Sequence, residues 1–133
     1  MYGYQSVSIS SGATDGGAGA STNNNTSGHV VVGQICSIGV TYNGSPPAST
    51  DLVIATAGNN GPALTLLTLT NANSNGWFHP RHKIDDETGA DITYDGTNEV
   101  YDKVCVADNI KITVSQANDD DSVDVVVIYY AGA

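Results

Sequence analysis

The chain is 133 residues long, the size of one domain, and such a domain buries roughly two thirds of its unfolded surface in a single core. Residues 1–133 are therefore read as one unit. Four Lys and Arg stand against 14 Asp and Glu, a formal charge of −10, so nucleic acids and anionic membranes repel it at long range and neither is an expected partner.

Val, Ile and Thr dominate the patterned stretches, beside 15 Gly and a single Met, Phe and Trp, which is a β composition. No basic region followed by an apolar run stands near the N-terminus, and no apolar stretch approaches a membrane span. A soluble protein made in the cytoplasm is the expectation. Cys36 and Cys105 sit inside β-patterned segments and are read as small buried hydrophobes without a disulfide.

Residues 4–10 alternate, with Val7 and Ile9 on one face opposite Ser6, Ser8 and Ser10, and predict a short strand. Residues 11–28 are almost entirely Gly, Ser, Thr, Ala and Asn, too poor in apolar area to offset the entropy of ordering, and are read as a flexible loop or arm. If ordered, the arm is expected to take its contacts from elsewhere, such as a neighbouring subunit. Residues 29–42 predict a core strand with Val30, Val32, Cys36, Ile38, Val40 and Tyr42 on one parity. The other parity carries Gly33, Ser37, Gly39 and Thr41, a small-residue face suited to close approach.

Asn43-Gly44 followed by Pro46 and Pro47 ends that strand, and residues 51–57 resume one through Leu52, Val53 and Ile54. After a turn over residues 58–62, residues 63–70 predict a strand of mixed parity, explained by a bulge near Leu66 or by burial on both faces. Residues 71–76 are loop. Residues 85–91 read as an acidic turn, residues 92–94 as a short strand or part of the loop, and residues 100–106 as another strand. No internal repeat stands out. Residues 109–130 read as an antiparallel hairpin: Ile110, Ile112 and Val114 alternate on the first strand, an acidic tip of Asp119, Asp120 and Asp121 points to solvent, and the second strand is apolar on both faces. There Val125, Val127 and Tyr129 face the core, whereas Val126, Ile128 and Tyr130 face a second layer or another subunit. The whole predicts an all-β antiparallel sandwich or jelly roll of about seven or eight strands with no helix.

The candidate chemistry is sparse. His79 and His82, with Asp85 and Asp86 nearby, have metal-ligand spacing on a helix, but Pro80 argues against one and they are read as surface or packing histidines. Trp77 and Phe78 either close the end of the core or form a sugar-stacking platform. The carboxylates of residues 85–91 and 119–121 match no EF-hand loop and are read as solvated turns, so neither metal nor other cofactor is expected. No Gly-x-Ser-x-Gly elbow is present and no catalytic set is identified, so an enzyme is not expected. Arg81, following Pro80, is read as an ion-pair anchor. The candidate interaction surface is Val126, Ile128, Tyr130, Trp77, Phe78 and Arg81.

A series of segments carries a family resemblance. These are Gly28-His29-Val30-Val31, Thr50-Asp51-Leu52-Val53-Ile54, Leu64-Thr65-Leu66, Trp77-Phe78-His79-Pro80-Arg81, Thr88-Gly89-Ala90, Val104-Cys105-Val106-Ala107-Asp108 and Ile110-Lys111-Ile112-Thr113-Val114. In this order the chain resembles small tailed-bacteriophage head decoration, or cement, proteins. The resemblance implies a virion structural protein on the capsid exterior, with the major capsid protein and copies of itself as partners and a trimer favoured. The alternative is a carbohydrate- or host-surface-binding module on a phage head or tail fibre, with Trp77, Phe78 and Tyr94 carrying the site.

Overall fold

The computed structural model describes residues 3–132, and every regular element among them is a β-strand. In chain order these are β1 (Tyr4–Ser10), β2 (Ser21–Thr26), β3 (Val31–Asn43), β4 (Asp51–Thr56), β5 (Thr65–Leu69), β6 (Gly76–Phe78), β7 (His82–Lys83), β8 (Tyr101–Asp102), β9 (Cys105–Asp108), β10 (Ile110–Ala117) and β11 (Ser122–Tyr130). One sheet runs β1-β11-β3-β6, with β9 also paired to β3; a second runs β2-β10-β4-β5; β7 and β8 form a separate ribbon. All named pairings are antiparallel. The two large sheets enclose one core, to which the first contributes Ile9, Ile35, Ile38, Val125 and Val127 and the second Leu52, Ile54, Ile110, Ile112 and Val114. The protein is thus the all-β sandwich that the alternation predicts, with more and shorter strands than seven or eight because four of them are two to four residues long.

The predicted hairpin over residues 109–130 is corrected. β10 pairs with β2 and β4, whereas β11 pairs with β1 and β3, so the chain crosses from one sheet to the other between them. The physical reason is that both strands carry a full apolar face: stacked across the sandwich, Ile112 and Val114 meet the same interior as Val125 and Val127. Gln116 and Asp120, at φ of 55° and 62°, make the turn. The tip does not all point to solvent. Asp119 and Asp120 do, but Asp121 is buried and its carboxylate accepts the N–H groups of Ser45 (2.7 Å) and Asn118 (2.9 Å).

The single parity expected for β3 is also corrected. Ile35 opposes Tyr129 and Ser37 opposes Ile128, which leaves Cys36 as a bulge residue. The bulge exchanges the faces: Val31 and Ile35 point inward before it, Ile38 and Val40 after it, and Val30 and Val32 are left exposed. The bulge expected at Leu66 is present, with the register slipping between Ile54 and Ala55 opposite it. Both thiols are free, but Cys105 is exposed and Cys36 only half-buried, because Val104 and Val106 take the inward positions around Cys105.

The greatest departure is at residues 11–28, expected to be a loose arm. They are ordered by the chain itself. β2 runs along the edge of β10 from Asn23 opposite Val114 to Thr26 opposite Lys111. Side-chain amides tie it to the segment before it, with Asn25 Nδ2 donating to the Ser10 carbonyl (2.7 Å) and Asn23 Nδ2 to the Ala13 carbonyl (2.9 Å). Apolar burial is not needed where an edge strand is held by main-chain and amide hydrogen bonds, and β2 in turn covers the open edge of β10.

Candidate functional site

Most of the candidate residues lie on two surfaces outside the core: the outward face of the five-stranded sheet and an excursion between β6 and β9.

On the outward face the strand register sets the neighbours. Ser10, Asp124 and Thr41 form one rung; Ser8, Val126, Gly39 and Trp77 the next; Ser6, Ile128 and Ser37 a third; Tyr4, Tyr130 and Gln34 a fourth. Val126, Ile128 and Tyr130 are half-buried on this face, as the two-sided apolar pattern of β11 predicts, and the Tyr4 and Tyr130 rings pack at 5.1 Å between centroids. Trp77 points outward and is 59% exposed, whereas Phe78, one residue on, turns inward against the core. Phe78 therefore takes the core-closing role weighed for the pair, while Trp77 stays on the surface. The Trp77 ring lies across Gly39, where a Cβ would come within 2.9 Å of its atoms, so the absence of a side chain at position 39 is what lets the indole lie flat. A shallow groove of about 280 Å³ opens between Trp77, Thr41, Asn75 and Asp124. It adjoins a second one along Ser8, Ser10, Asp124 and Val126.

Arg81 is not the ion-pair anchor expected of it. Its guanidinium donates to the carbonyls of Pro80 (2.7 Å) and Cys36 (3.3 Å), pinning the start of the excursion to the β3 bulge, whose twisted backbone turns a carbonyl toward it. His79 shares a hydrogen bond with Ser37 Oγ (2.9 Å) on the sheet face, while His82 lies on the ribbon opposite Asp102. Among the described residues no group of His, Cys, Asp or Glu is placed to hold a metal.

Residues 81–103 form a small knob. Its three segments pair two by two in antiparallel fashion, Lys83 with Tyr101, Asp85 with Asp91 and Thr93 with Glu99. At the centre three main-chain bonds close a ring: Ile84 N–H donates to Val100 C=O (2.9 Å), Val100 N–H to Ile92 C=O (3.2 Å), and Ile92 N–H to Ile84 C=O (3.3 Å). The residues just before these three also meet, with Lys83 Nζ lying 2.8 Å from Asp91 and 3.6 Å from Glu99. The interval of eight between 84, 92 and 100, repeated at 83, 91 and 99, is a short pseudo-repeat whose equal spacing brings the three segments together.

Two carboxylates organise the turns between the segments. Asp86 accepts the Thr88 hydroxyl (2.7 Å) and the N–H groups of Thr88 and Ala90 (2.8 and 3.0 Å), and Asp95 those of Asn98 and Thr97 (2.6 and 2.9 Å). The Thr88 hydroxyl with the neighbouring amides, and the Asn98 amide groups with Thr97, hold both below the ordinary carboxylate value; a hydrogen bond from Lys83 and its charge do the same for Asp91. The acidic stretch is thus a structural element and not simply a solvated turn. No residue from 81 to 103 is fully buried, and Tyr94, Tyr101 and Ile92 are 73%, 59% and 38% exposed. Of these three, only Tyr94 is among the site residues the sequence suggests; Ile92 and Tyr101 carry no local signal beyond a short apolar stretch.

No protein-family model matches the chain, and no curated protein does. Among solved structures, the chain is similar to FlhE (12% identity, TM-score 0.43, covering 96% of this chain and 98% of that one). It is also similar to a mutant of the family 29 carbohydrate-binding module CBM29-2 (9% identity, TM-score 0.43, 98% and 77% covered) and to the family 29 module itself (8% identity, TM-score 0.41, 98% and 80% covered). Likeness at this level carries no functional argument.

Proposed function

We propose that this chain is a non-enzymatic decoration protein of a tailed-phage capsid, seated on the head exterior against the major capsid protein and tying neighbouring capsomers together. The observation that carries the reading is the knob over residues 81–103. It adds nothing to the core, yet it is internally braced by the ring at Ile84, Ile92 and Val100 and by the Lys83 ion pairs, and it holds Ile92, Tyr94 and Tyr101 out in water. Rigid apolar tips held clear of a core supply contact area at low ordering cost. The resemblance of the segment series to head decoration proteins supports the same reading.

A protein of this kind stabilises the shell by mass action, binding the assembled lattice and not its dissociated subunits. Self-association as a trimer suits the three-fold positions of an icosahedral shell. The test is the temperature at which heads of the encoding phage release DNA, with and without the protein. Heads depleted of it leak at lower temperature and recover when it is added back. An unchanged leakage temperature after depletion contradicts the reading.

A further inference from the structure

We propose that the outward face of the five-stranded sheet is a saccharide-binding trough, in which Trp77 is the stacking surface and Asp124 the polar anchor, and that its ligand is a neutral oligosaccharide. The site is separate from the knob and goes beyond the decoration role.

Trp77 is the only Trp of the chain, and it is spent on the surface. Burying such a ring gives one of the largest apolar gains available to a small domain, so leaving it in water forgoes that gain. It is not loosely exposed: one face rests on the backbone at Gly39, which a side chain there would prevent, and this leaves the other face toward solvent. A flat, fixed aromatic face is what the apolar C–H face of a pyranose packs against.

The polar groups around it are already oriented. Asp124 accepts Asn43 Nδ2 at 2.9 Å, and Asn75 Oδ1 accepts the Tyr42 N–H at 2.8 Å, which commits the Asn75 oxygen to the main chain and presents its NH₂ as a donor. Thr41 lies between them, and the groove continues past Val126 to Ser8 and Ser10. From β1 to β6 the trough crosses four strands, roughly 14 Å at the usual strand spacing, enough for a short oligosaccharide laid across the sheet.

The lining also selects among occupants. Around Trp77 the lining is mixed: Val126 has Ser8 on one side and Gly39 on the other, with Ser10, Asp124 and Thr41 on the next rung, while the apolar side chains of Ile128 and Tyr130 continue along β11 away from the groove. That mixture suits a ligand made of hydroxyls and C–H faces. The Asp124 carboxylate and the formal charge of −10 disfavour uronic, sialic or sulfated sugars.

Because the chain has one Trp, its intrinsic fluorescence reports the site directly. The full chain is titrated with neutral hexasaccharides of glucose, of mannose and of N-acetylglucosamine, and with hyaluronan as the anionic probe. The expected result is a saturable fluorescence change with at least one neutral probe and none with hyaluronan. By calorimetry, binding weakens about tenfold or more in Trp77→Ala and also weakens in Asp124→Ala, while both variants keep the wild-type melting temperature. The Ile92→Ser/Tyr94→Ser double variant, altered only in the knob, binds sugar as wild type does. Silence toward every neutral probe overturns the proposal, as does binding that survives Trp77→Ala or that is as tight for hyaluronan.

Discussion

Thr14 and Asp121 lie 107 residues apart in the chain and hold each other through main chain and side chain alike. The Thr14 N–H donates to the Asp121 carbonyl (2.7 Å), its hydroxyl lies 2.6 Å from the Asn118 carbonyl and 3.0 Å from that of Asp121, and its own carbonyl accepts the Asp120 N–H (2.8 Å). This clasp fixes the low-complexity segment onto the crossover between β10 and β11. Thr14→Val keeps the shape and removes the donor, so urea unfolding should show a loss of about 1–2 kcal/mol. Asp121→Ala also strands the Ser45 and Asn118 amides and should cost more, about 2–3 kcal/mol. Values within about 0.5 kcal/mol of wild type for both would mean that residues 11–28 do not depend on the clasp.

Trp77 and Gly39 give a prediction unlike that for a core Trp, whose truncation costs about 3–5 kcal/mol. Trp77→Ala should change stability by less than about 1 kcal/mol, since most of the ring is already in water. Gly39→Ala, in contrast, drives a Cβ into the ring and should cost about 1–3 kcal/mol, a loss relieved in the Gly39→Ala/Trp77→Ala double variant. Differential scanning calorimetry of the four proteins is the measurement; additive losses would contradict the stacked geometry.

The knob should be separable from the sandwich. His82 and Asp102 face each other across the β7-β8 ribbon, so replacing residues 83–101 with Asn-Gly closes the strands with a two-residue turn. The shortened protein should unfold within about 1 kcal/mol of wild type, because no residue it loses is fully buried. Unfolding or aggregation of the variant would show that the knob supports the core after all.

Acid and alkali should loosen the knob from opposite sides. Asp91, lowered by its hydrogen bond to Lys83, contributes stability above the ordinary carboxylate pKa of about 4 and loses it as pH falls through its folded value. Lys83, raised by its bond to Asp91, contributes below about 10.4 and loses that contribution as pH rises through its folded value. Asp86 and Asp95 are lowered too and add to the acid side. Amide NMR signals of Ile84, Ile92 and Val100 should therefore hold between about pH 4 and 10 and shift outside that window. Lys83→Met should move the acid transition upward in pH. An unmoved transition would mean that the ion pair does not set it.

Asp108 behaves alike within the sandwich. Burial pushes its carboxyl up, but the amides of Asn109, Gly58, Asn59 and Asn60 together hold it below its ordinary value, so the stability it adds is present above about pH 4 and lost on acidification. Asp108→Asn should flatten the dependence of melting temperature on pH between 7 and 3; a dependence as steep as wild type would contradict this.

Alternation alone located the interior positions wherever a strand kept one register: Val7 and Ile9, Leu52 and Ile54, Ile110 to Val114, Val125 to Tyr129 all lie where their parity puts them. It failed at β3, because the extra residue at Cys36 is visible only in how the strand pairs. It failed at β10 and β11 because a sheet-crossing connection and a hairpin share one pattern of apolar runs and polar turn. Composition does not reveal the order of residues 11–28, because it comes not from burial but from the hydrogen bonds of Thr14, Asn23 and Asn25. Of the candidate surface, Val126, Ile128, Tyr130 and Trp77 share one face, Phe78 belongs to the core and Arg81 to the root of the knob. The knob itself depends on a ring among three segments, which no local window contains.

The proposed decoration role sets the knob against an assembled capsid, and co-sedimentation checks that contact. Purified protein is mixed with heads of the phage proposed to carry it, prepared without it, and spun through a density gradient. Wild-type protein should travel with the heads, and the Ile92→Ser/Tyr94→Ser variant, with unchanged melting, should stay at the top. Wild-type protein remaining at the top, or the variant travelling with the heads as fully as wild type, would contradict the account.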